Sequence, residues 1–178
     1  MKKKDSFTKV FGVSIILFFI PLLVPSCSEK YNIDSVDNLS LISPNGIQIV
    51  DNLNELHLII ERDILSKDGV LKKFEISKIE YVANLENGFC ATVFYEIENG
   101  IRRNFILSRN VSFNLYGAAI KTLVSKSKGE TTVRVTCTAN ASCSAEECFS
   151  QVVYDIEEGT LTYQCACADC ILEVETID

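Results

Sequence analysis

Apolar residues between positions 52 and 66 recur at helical spacing. The segment Asn52-Leu53-Asn54-Glu55 has the form of a capping box, and Asp68-Gly69 is a typical stop signal. Between them the apolar residues lie three or four positions apart: Leu53, Leu56, Ile60 and Ile64. The pattern predicts one amphipathic helix over residues 52–66.

From Leu71 the period changes to two, and Asn87-Gly88 and Asn99-Gly100 separate β-rich runs. Asn-Gly between alternating runs is a strong hairpin signal, so we expect a three-strand antiparallel meander. If both pairs occupy two-residue turns, Phe94 faces Tyr81 and Phe105. The register then places one mainly apolar stripe on a single face, where we expect the helix to pack. The stripe is Ile79, Tyr81, Ala83, Leu85, Cys90, Thr92, Phe94, Phe105 and Leu107.

The later part of the chain contains shorter β-rich runs. Residues 111–124 fit either a short helix or a strand, whereas 131–136 read as a strand. Residues 152–164 predict a hairpin that turns at Glu157-Glu158-Gly159. The expected fold class is therefore α+β, with one N-terminal helix packed on an antiparallel β-meander, followed by a small cysteine-rich β-hairpin module. The pattern leaves open whether the two parts share one sheet.

The N-terminus has the organisation of an export signal. Four lysines, at positions 2, 3, 4 and 9, precede an uncharged apolar run that extends from Val10 to Ser26. Pro21 interrupts this run, which favours a cleaved signal over a permanent transmembrane helix. An ordinary secretory signal, with a structural cysteine nearby, is the alternative to the lipid attachment considered next.

The segment Val24-Pro25-Ser26-Cys27 resembles the cleavage box of bacterial lipoproteins, although Pro25 replaces the usual small residue. Ser26, with Ser28-Glu29-Lys30 after the cysteine, is similar to the lipoprotein signals of Bacteroidetes-type bacteria. The resemblance covers about thirty residues. It implies a lipid anchor, such as palmitate, on Cys27 and a location in the bacterial cell envelope, at the outer membrane or cell surface.

These signals predict five segments. Residues 1–26 form the signal peptide and 27–50 a lipid-anchored tether rich in Asn, Ser and Asp. Residues 51–124 form the helix and β-meander domain, and 125–130 form a polar linker. Residues 131–178 form an acidic, cysteine-rich β module.

The charge of the chain is concentrated near its C-terminus. From Cys27 onwards the sequence carries 13 basic and 23 acidic side chains, and no Lys or Arg follows Arg134. Nine carboxylate side chains lie in residues 135–178. Such a chain repels nucleic acid and anionic headgroups, so we expect no nucleic-acid partner and membrane attachment through acyl chains alone.

Six cysteines fall within 34 residues: Cys137, Cys143, Cys148, Cys165, Cys167 and Cys170. In an exported chain this number predicts three disulfides. The hairpin turn at Glu158-Gly159 would place Ser150 opposite Cys167 and Glu147 opposite Cys170, and so suggests that Cys148 bridges to Cys167 or Cys170. It also suggests that Cys165 reaches back to Cys137 or Cys143. The remaining Cys90 is expected to be a small buried side chain.

A thiolate metal site and a redox relay are the alternatives for these cysteines. Only Cys167-Ala168-Asp169-Cys170 has the spacing of a zinc knuckle. The surrounding carboxylates raise thiol pKa values and thereby disfavour the thiolates that both alternatives require.

Catalytic signatures are scarce. His57, the only histidine, lies inside the predicted helix, where half-buried packing is the expected role. The sequence contains no G-x-S-x-G, H-E-x-x-H, P-loop or dinucleotide fingerprint. We therefore assign no catalytic residue, cofactor or metal ligand, and predict a non-enzymatic binding or structural module for a protein or another ligand. A thiol-redox or small hydrolytic envelope enzyme is the second hypothesis, and a metal-binding module is the third.

Overall fold

One helix and ten strands follow one another along the part of the chain that the structure describes. The structure is a computed structural model that describes residues 39–98, 100–123 and 131–177, together with the backbone of Ser35 and Val36. The helix is α1 (Leu53–Asp68). The strands are β1 (Ser35–Val36), β2 (Phe74–Tyr81), β3 (Phe89–Ile97), β4 (Ile101–Arg109), β5 (Phe113–Tyr116), β6 (Ala119–Leu123), β7 (Thr132–Thr138), β8 (Ser150–Asp155), β9 (Thr160–Cys165) and β10 (Ile171–Ile177). These elements confirm the α+β class.

Helix α1 begins and ends with the caps that its sequence predicts. The Asn52 side chain accepts a hydrogen bond from the Glu55 backbone N–H at 3.1 Å. The Glu55 carboxylate in turn accepts from the backbone N–H of Asp51 at 2.6 Å. At the other end, Gly69 has a φ of 72° and its N–H donates to the carbonyl of Leu65. The predicted helix is confirmed and ends two residues later than expected.

The strands form a seven-stranded sheet, in the order β1-β2-β3-β4-β7-β10-β6, and a three-stranded sheet, in the order β5-β9-β8. Strands β2, β3 and β4 form the predicted antiparallel meander. Strand β10 pairs in parallel with β6, and β5 pairs in parallel with β9. The large sheet therefore receives strands from both of the segments that the sequence divides at residues 125–130.

The division into residues 51–124 and 131–178 does not correspond to two separate sheets. Strand β7 continues the large sheet by pairing with β4, and β5 joins the small sheet by pairing with β9. Each predicted module thus supplies strands to the other's sheet, and Asn32–Asp178 forms one compact unit. The predicted linker, 125–130, lies outside the described residues.

The two faces of the large sheet are covered by different layers. Helix α1 packs its apolar stripe, which includes Leu56, Ile60 and Ile64, on one face. The small sheet covers the other face, where Leu161 and Tyr163 are fully buried. The strands between them are consequently buried on both sides, as in the core of a three-layer fold.

Polar contacts fix the small sheet on the large one. Asn104 and the backbone of Ser150 exchange two hydrogen bonds of 2.8 Å. The Tyr163 hydroxyl donates to Ser108 Oγ at 2.7 Å. Both contacts are buried, and directional hydrogen bonds in a buried interface favour one docking geometry.

The register of the meander differs from the prediction by one to four positions. Val93, and not Phe94, lies opposite both Ile79 and Phe105. Phe94 instead lies opposite Lys78 and Asn104. Val93 therefore belongs to the helix-covered face, and the predicted stripe, which used Cys90, Thr92 and Phe94, is wrong for β3.

Turn geometry explains this difference. Strand β2 ends at Tyr81, so the first connection is a long loop in which Asn84 has a φ of 63°. Gly88 is required for another reason: a Cβ there would lie 2.2 Å from the carbonyl oxygen of Arg109. The second connection is a three-residue loop whose Gly100 has a φ of 77°.

The described end of the predicted tether, residues 39–50, is folded onto the domain. Ile49 and Val50 are buried in the helix-side core. Asn45 donates hydrogen bonds of 2.8 Å to the carbonyls of Leu85 and Gly88. The packed domain therefore begins before residue 51, because this segment contains apolar side chains that the core accommodates.

Candidate binding site

The C-terminal cysteines are joined in three disulfides: Cys137–Cys165, Cys143–Cys167 and Cys148–Cys170. The first and third agree with the pairings suggested by the hairpin argument. The hairpin itself has a different register, because Ser150 lies opposite Cys165 and not Cys167. These two bonds are compatible with either register, since both bring the same segments of chain together.

The disulfides cross-link different parts of the fold. Cys137 lies on β7 of the large sheet and Cys165 ends β9 of the small sheet, so their bond joins the two layers. The Sγ atoms of Cys143, Cys167 and Cys170 lie within 4.8 Å of one another. Within the described ranges these are the residues that bring three metal-ligating atoms together, but all three are oxidised in disulfides. Metal binding would require reduction first.

Cys90 is a buried free thiol, as the sequence analysis expected. It lies on the face of the large sheet that the small sheet covers. Burial raises the pKa of Cys90 to about 12, so its thiol stays protonated at neutral pH. A nucleophilic thiolate has the opposite properties.

The outward side of the three-stranded sheet, which we call the outer face, is the best candidate for a binding surface. Alternation along the strands turns the apolar side chains towards the core and the others outwards. The outward residues are Asn114, Tyr116, Gln151, Val153, Asp155, Thr160, Thr162 and Gln164. Only one of them, Asp155, is charged, which is unusual for a surface of so acidic a segment.

Strand pairing places Tyr116, Gln164 and Gln151 in one row across the outer face. Tyr116 is 71 % exposed. Gln164 Nε2 donates to Gln151 Oε1 at 3.2 Å, which orients both amides. The row spans two strand separations, roughly 10 Å.

A cleft of about 400 Å³ opens beside this row. Its lining contains no charged side chain: Tyr116, Gly117, Ala118, Gln151, Gln164, Cys165, Ala166, Cys167 and Ala168. The lining combines small side chains and disulfide-linked cysteines with the exposed tyrosine and the two amides. A concave site with an aromatic surface and a few polar groups has the general composition of small-molecule sites.

A second group of interacting residues is a buried charge network between α1 and the large sheet. Asp63 accepts hydrogen bonds from the Tyr95 hydroxyl, from Lys67 at 3.0 Å and from Thr136 at 3.3 Å. Arg134 Nη1 lies 3.6 Å from the same carboxylate. Asp63 and Tyr95 have no exposed area, so the network holds the helix on the sheet and is closed to a substrate.

Burial shifts the pKa values of the side chains in this network. Desolvation lowers the pKa of Lys67, and Asp63 opposes that shift. Desolvation and the adjacent Asp63 raise the pKa of Tyr95. At its edge, hydrogen bonds from Arg103 lower the pKa of Asp68, whose carboxylate accepts from Nη1 at 3.1 Å and from Nη2 at 2.8 Å.

His57 has the packing role that its position predicts. It is half-buried and makes an edge-to-face contact with Phe74, with ring centroids 5.3 Å apart. Lipidation at Cys27, and the signal around it, lie outside the described residues. Among the residues that the structure does describe, no helix is long and apolar enough to cross a membrane.

Sequence reasoning missed the outer face and the charge network. The first has a period-two signal, since Gln151, Thr162 and Gln164 alternate with apolar residues in the predicted hairpin. The second also has a signal: Asp63 lies in the apolar stripe of α1, between Ile60 and Ile64. The sequence of strand β5 had no such signal, because residues 111–124 fitted either a short helix or a strand.

Comparison with known proteins gave no match to a family model, to a curated protein or to a solved structure.

Proposed function

We propose that the protein is a lipid-anchored lipoprotein of the bacterial envelope or surface that acts as a non-enzymatic binding module, with its ligand at the outer face. The observation that carries the proposal is the uncharged cleft beside Tyr116, which presents an exposed aromatic ring and two oriented amides. The N-terminal resemblance around Cys27 supports the anchor, and the three disulfides are consistent with export.

The outer face is suited to binding because its polar groups are positioned in advance. Regular strands carry Gln151 and Gln164, and the Cys137–Cys165 bond fastens the end of β9 to the large sheet. A site on rigid strands loses little conformational entropy when a ligand binds.

The other large cleft is less suited. It measures about 490 Å³ and lies between α1 and the large sheet. Two of its charged residues have structural contacts: Glu55 caps the helix, and Arg109 donates to the carbonyl of Gln48 at 2.8 Å. These groups are therefore engaged within the protein.

Binding at the outer face can be tested with a photo-crosslinking amino acid at Val153, which is 53 % exposed on that face. The matched control places it at Leu58, which is 58 % exposed on the helix. On intact cells of the source bacterium we expect a discrete adduct from position 153 alone. Equal adduct patterns from both positions would count against the outer face.

The anchor is tested separately by labelling cells with an alkyne analogue of palmitate. Wild-type protein should carry the label and be recovered with membranes, whereas Cys27→Ser should be unlabelled. An unlabelled wild type would remove the lipoprotein part of the proposal.

A thiol-redox role is the second candidate, because Cys165 and Cys167 line the cleft and three sulfurs lie close together. With oxidised glutathione in the buffer to re-form the domain's disulfide after each turnover, oxidation of a reduced, unfolded substrate protein by catalytic amounts of the purified domain would favour this role. A rate equal to that of buffer, with or without Cys167→Ser, would favour binding.

A further inference from the structure

Building on the proposed function, we propose that the ligand of the outer face is a neutral glycan, with a sugar ring stacked on Tyr116 and its hydroxyls hydrogen-bonded to Gln151 and Gln164.

Charge is the first argument. Residues 135–178 carry nine carboxylates and no Lys or Arg, yet the cleft lining contains no charged side chain. An anionic ligand would meet an acidic region without a compensating cation. A cationic ligand would find no carboxylate in the cleft itself. The site therefore matches a ligand that is polar but uncharged.

Hydrogen-bonding capacity is the second argument. The bond from Gln164 Nε2 to Gln151 Oε1 fixes the two amides relative to each other. It leaves the carbonyl oxygen of Gln164 as an acceptor and the amino group of Gln151 as a donor. A sugar hydroxyl is both donor and acceptor, so neighbouring hydroxyls can pair with such amides.

The exposed ring is the third argument. Tyr116 lies opposite Gln164 on the adjacent strand, so ring and amide are neighbours across the outer face. A sugar has an apolar C–H face and a polar hydroxyl edge, and one placed on the ring would direct its edge towards the amides. Gly117 and Ala118 follow Tyr116 in the cleft lining and add little bulk beside the ring.

The proposal is tested with the oxidised, soluble domain from residue 32 onwards, which lies within one compact unit. Its migration is measured by electrophoresis in native gels that contain a polysaccharide. Neutral probes are mannan, xyloglucan and starch, and anionic probes are polygalacturonate and chondroitin sulfate. We expect retardation by at least one neutral probe. Tyr116→Ala should weaken that binding about tenfold, whereas Tyr116→Phe should retain it within about threefold.

Gln151→Ala and Gln164→Ala should also weaken binding, and Leu58→Ala, at an exposed position on the helix, should not. Because Tyr116 is mostly exposed, its variants should fold, and thermal unfolding checks this. Migration unaffected by all three neutral probes, or retardation that survives Tyr116→Ala, would overturn the glycan assignment. If crosslinks still form from position 153, binding at the outer face stands and only its glycan ligand is refuted. If they are also absent, both proposals fall.

Discussion

Asp63 shows at the scale of a single residue how a charge can be accommodated inside an apolar stripe. Its carboxylate is buried with Lys67 and Arg134 close by, and Tyr95 and Thr136 donate to it as well. A buried carboxylate without such partners would be strongly destabilising. The two cationic partners, Lys67 and Arg134, depend on the carboxylate in turn, since they have little access to water.

Replacement of Asp63 should therefore destabilise the protein strongly. We expect Asp63→Ala to lower the free energy of unfolding by about 3–5 kcal/mol, because buried Lys67 loses its counter-charge and Arg134 is left with Glu175 alone. Urea unfolding of the disulfide-intact domain measures this. Asp63→Asn keeps the shape and removes only the charge, and exposed Asp51→Asn is the neutral control. A loss below 1 kcal/mol for Asp63→Ala would contradict the network's role.

Asp68 should give the fold part of its dependence on pH. Arg103 lowers the pKa of Asp68 in the folded state from its ordinary value of 3.8. The unfolded state therefore binds this proton more readily. The stabilisation is complete above about pH 5 and is lost as the pH falls through 3.8 towards the folded-state pKa.

The measurement is urea unfolding of wild type and Asp68→Asn between pH 2.5 and 7. The stability difference between them should be constant above about pH 5 and shrink below pH 4. A difference that is independent of pH across the whole range would show that the carboxylate of Asp68 does not contribute through its charge.

Among the elements, α1 is the one whose limits depend on single side chains. The Asn52 side chain satisfies the backbone N–H of Glu55 at the helix start. Asn52→Ala should reduce the free energy of unfolding by about 1 kcal/mol, since that donor loses its partner. Asn52→Asp retains an acceptor and should be within a few tenths of wild type. Equal losses in both variants, measured by thermal unfolding, would exclude capping as the cause.

The sequence predicted α1 and the existence of the meander strands, but it could not predict their register. Helix caps depend on residues that are close in sequence, so Asn52, Glu55 and Gly69 indicate both ends of the helix without knowledge of the fold. Register depends on which face is buried, and β3 is buried on both: Val93 contacts the helix layer and Cys90 the small sheet. Apolar residues at successive positions then fit either register.

At the scale of the whole molecule, pairing between distant segments determines what the outer face contains. Tyr116 and Gln164 are adjacent only because β5 joins β9 in parallel. The short sequences of β5 and β9 contain no pattern that indicates this pairing, because the pairing depends on the packing of both sheets. The cysteine pairing was predictable in part, since the hairpin placed Cys148 near Cys167 and Cys170 and left Cys165 to Cys137 or Cys143, without choosing between the two partners in either case.

The bond between Cys137 and Cys165 should determine how firmly the small sheet is held. It closes a sequence separation of 28 residues, but the remaining Cys143–Cys167 bond already shortens that loop to about ten residues, so its loss in Cys137→Ala/Cys165→Ala should cost about 2.5 kcal/mol. Because the bond joins the two sheets, hydrogen exchange should accelerate in β8 and β9 more than in β3, where α1 still packs. Cys90→Ala removes a buried thiol without a cross-link and is the control. If exchange increased equally in β3 and β9, the disulfide would stabilise the unit as a whole and not the junction between its sheets.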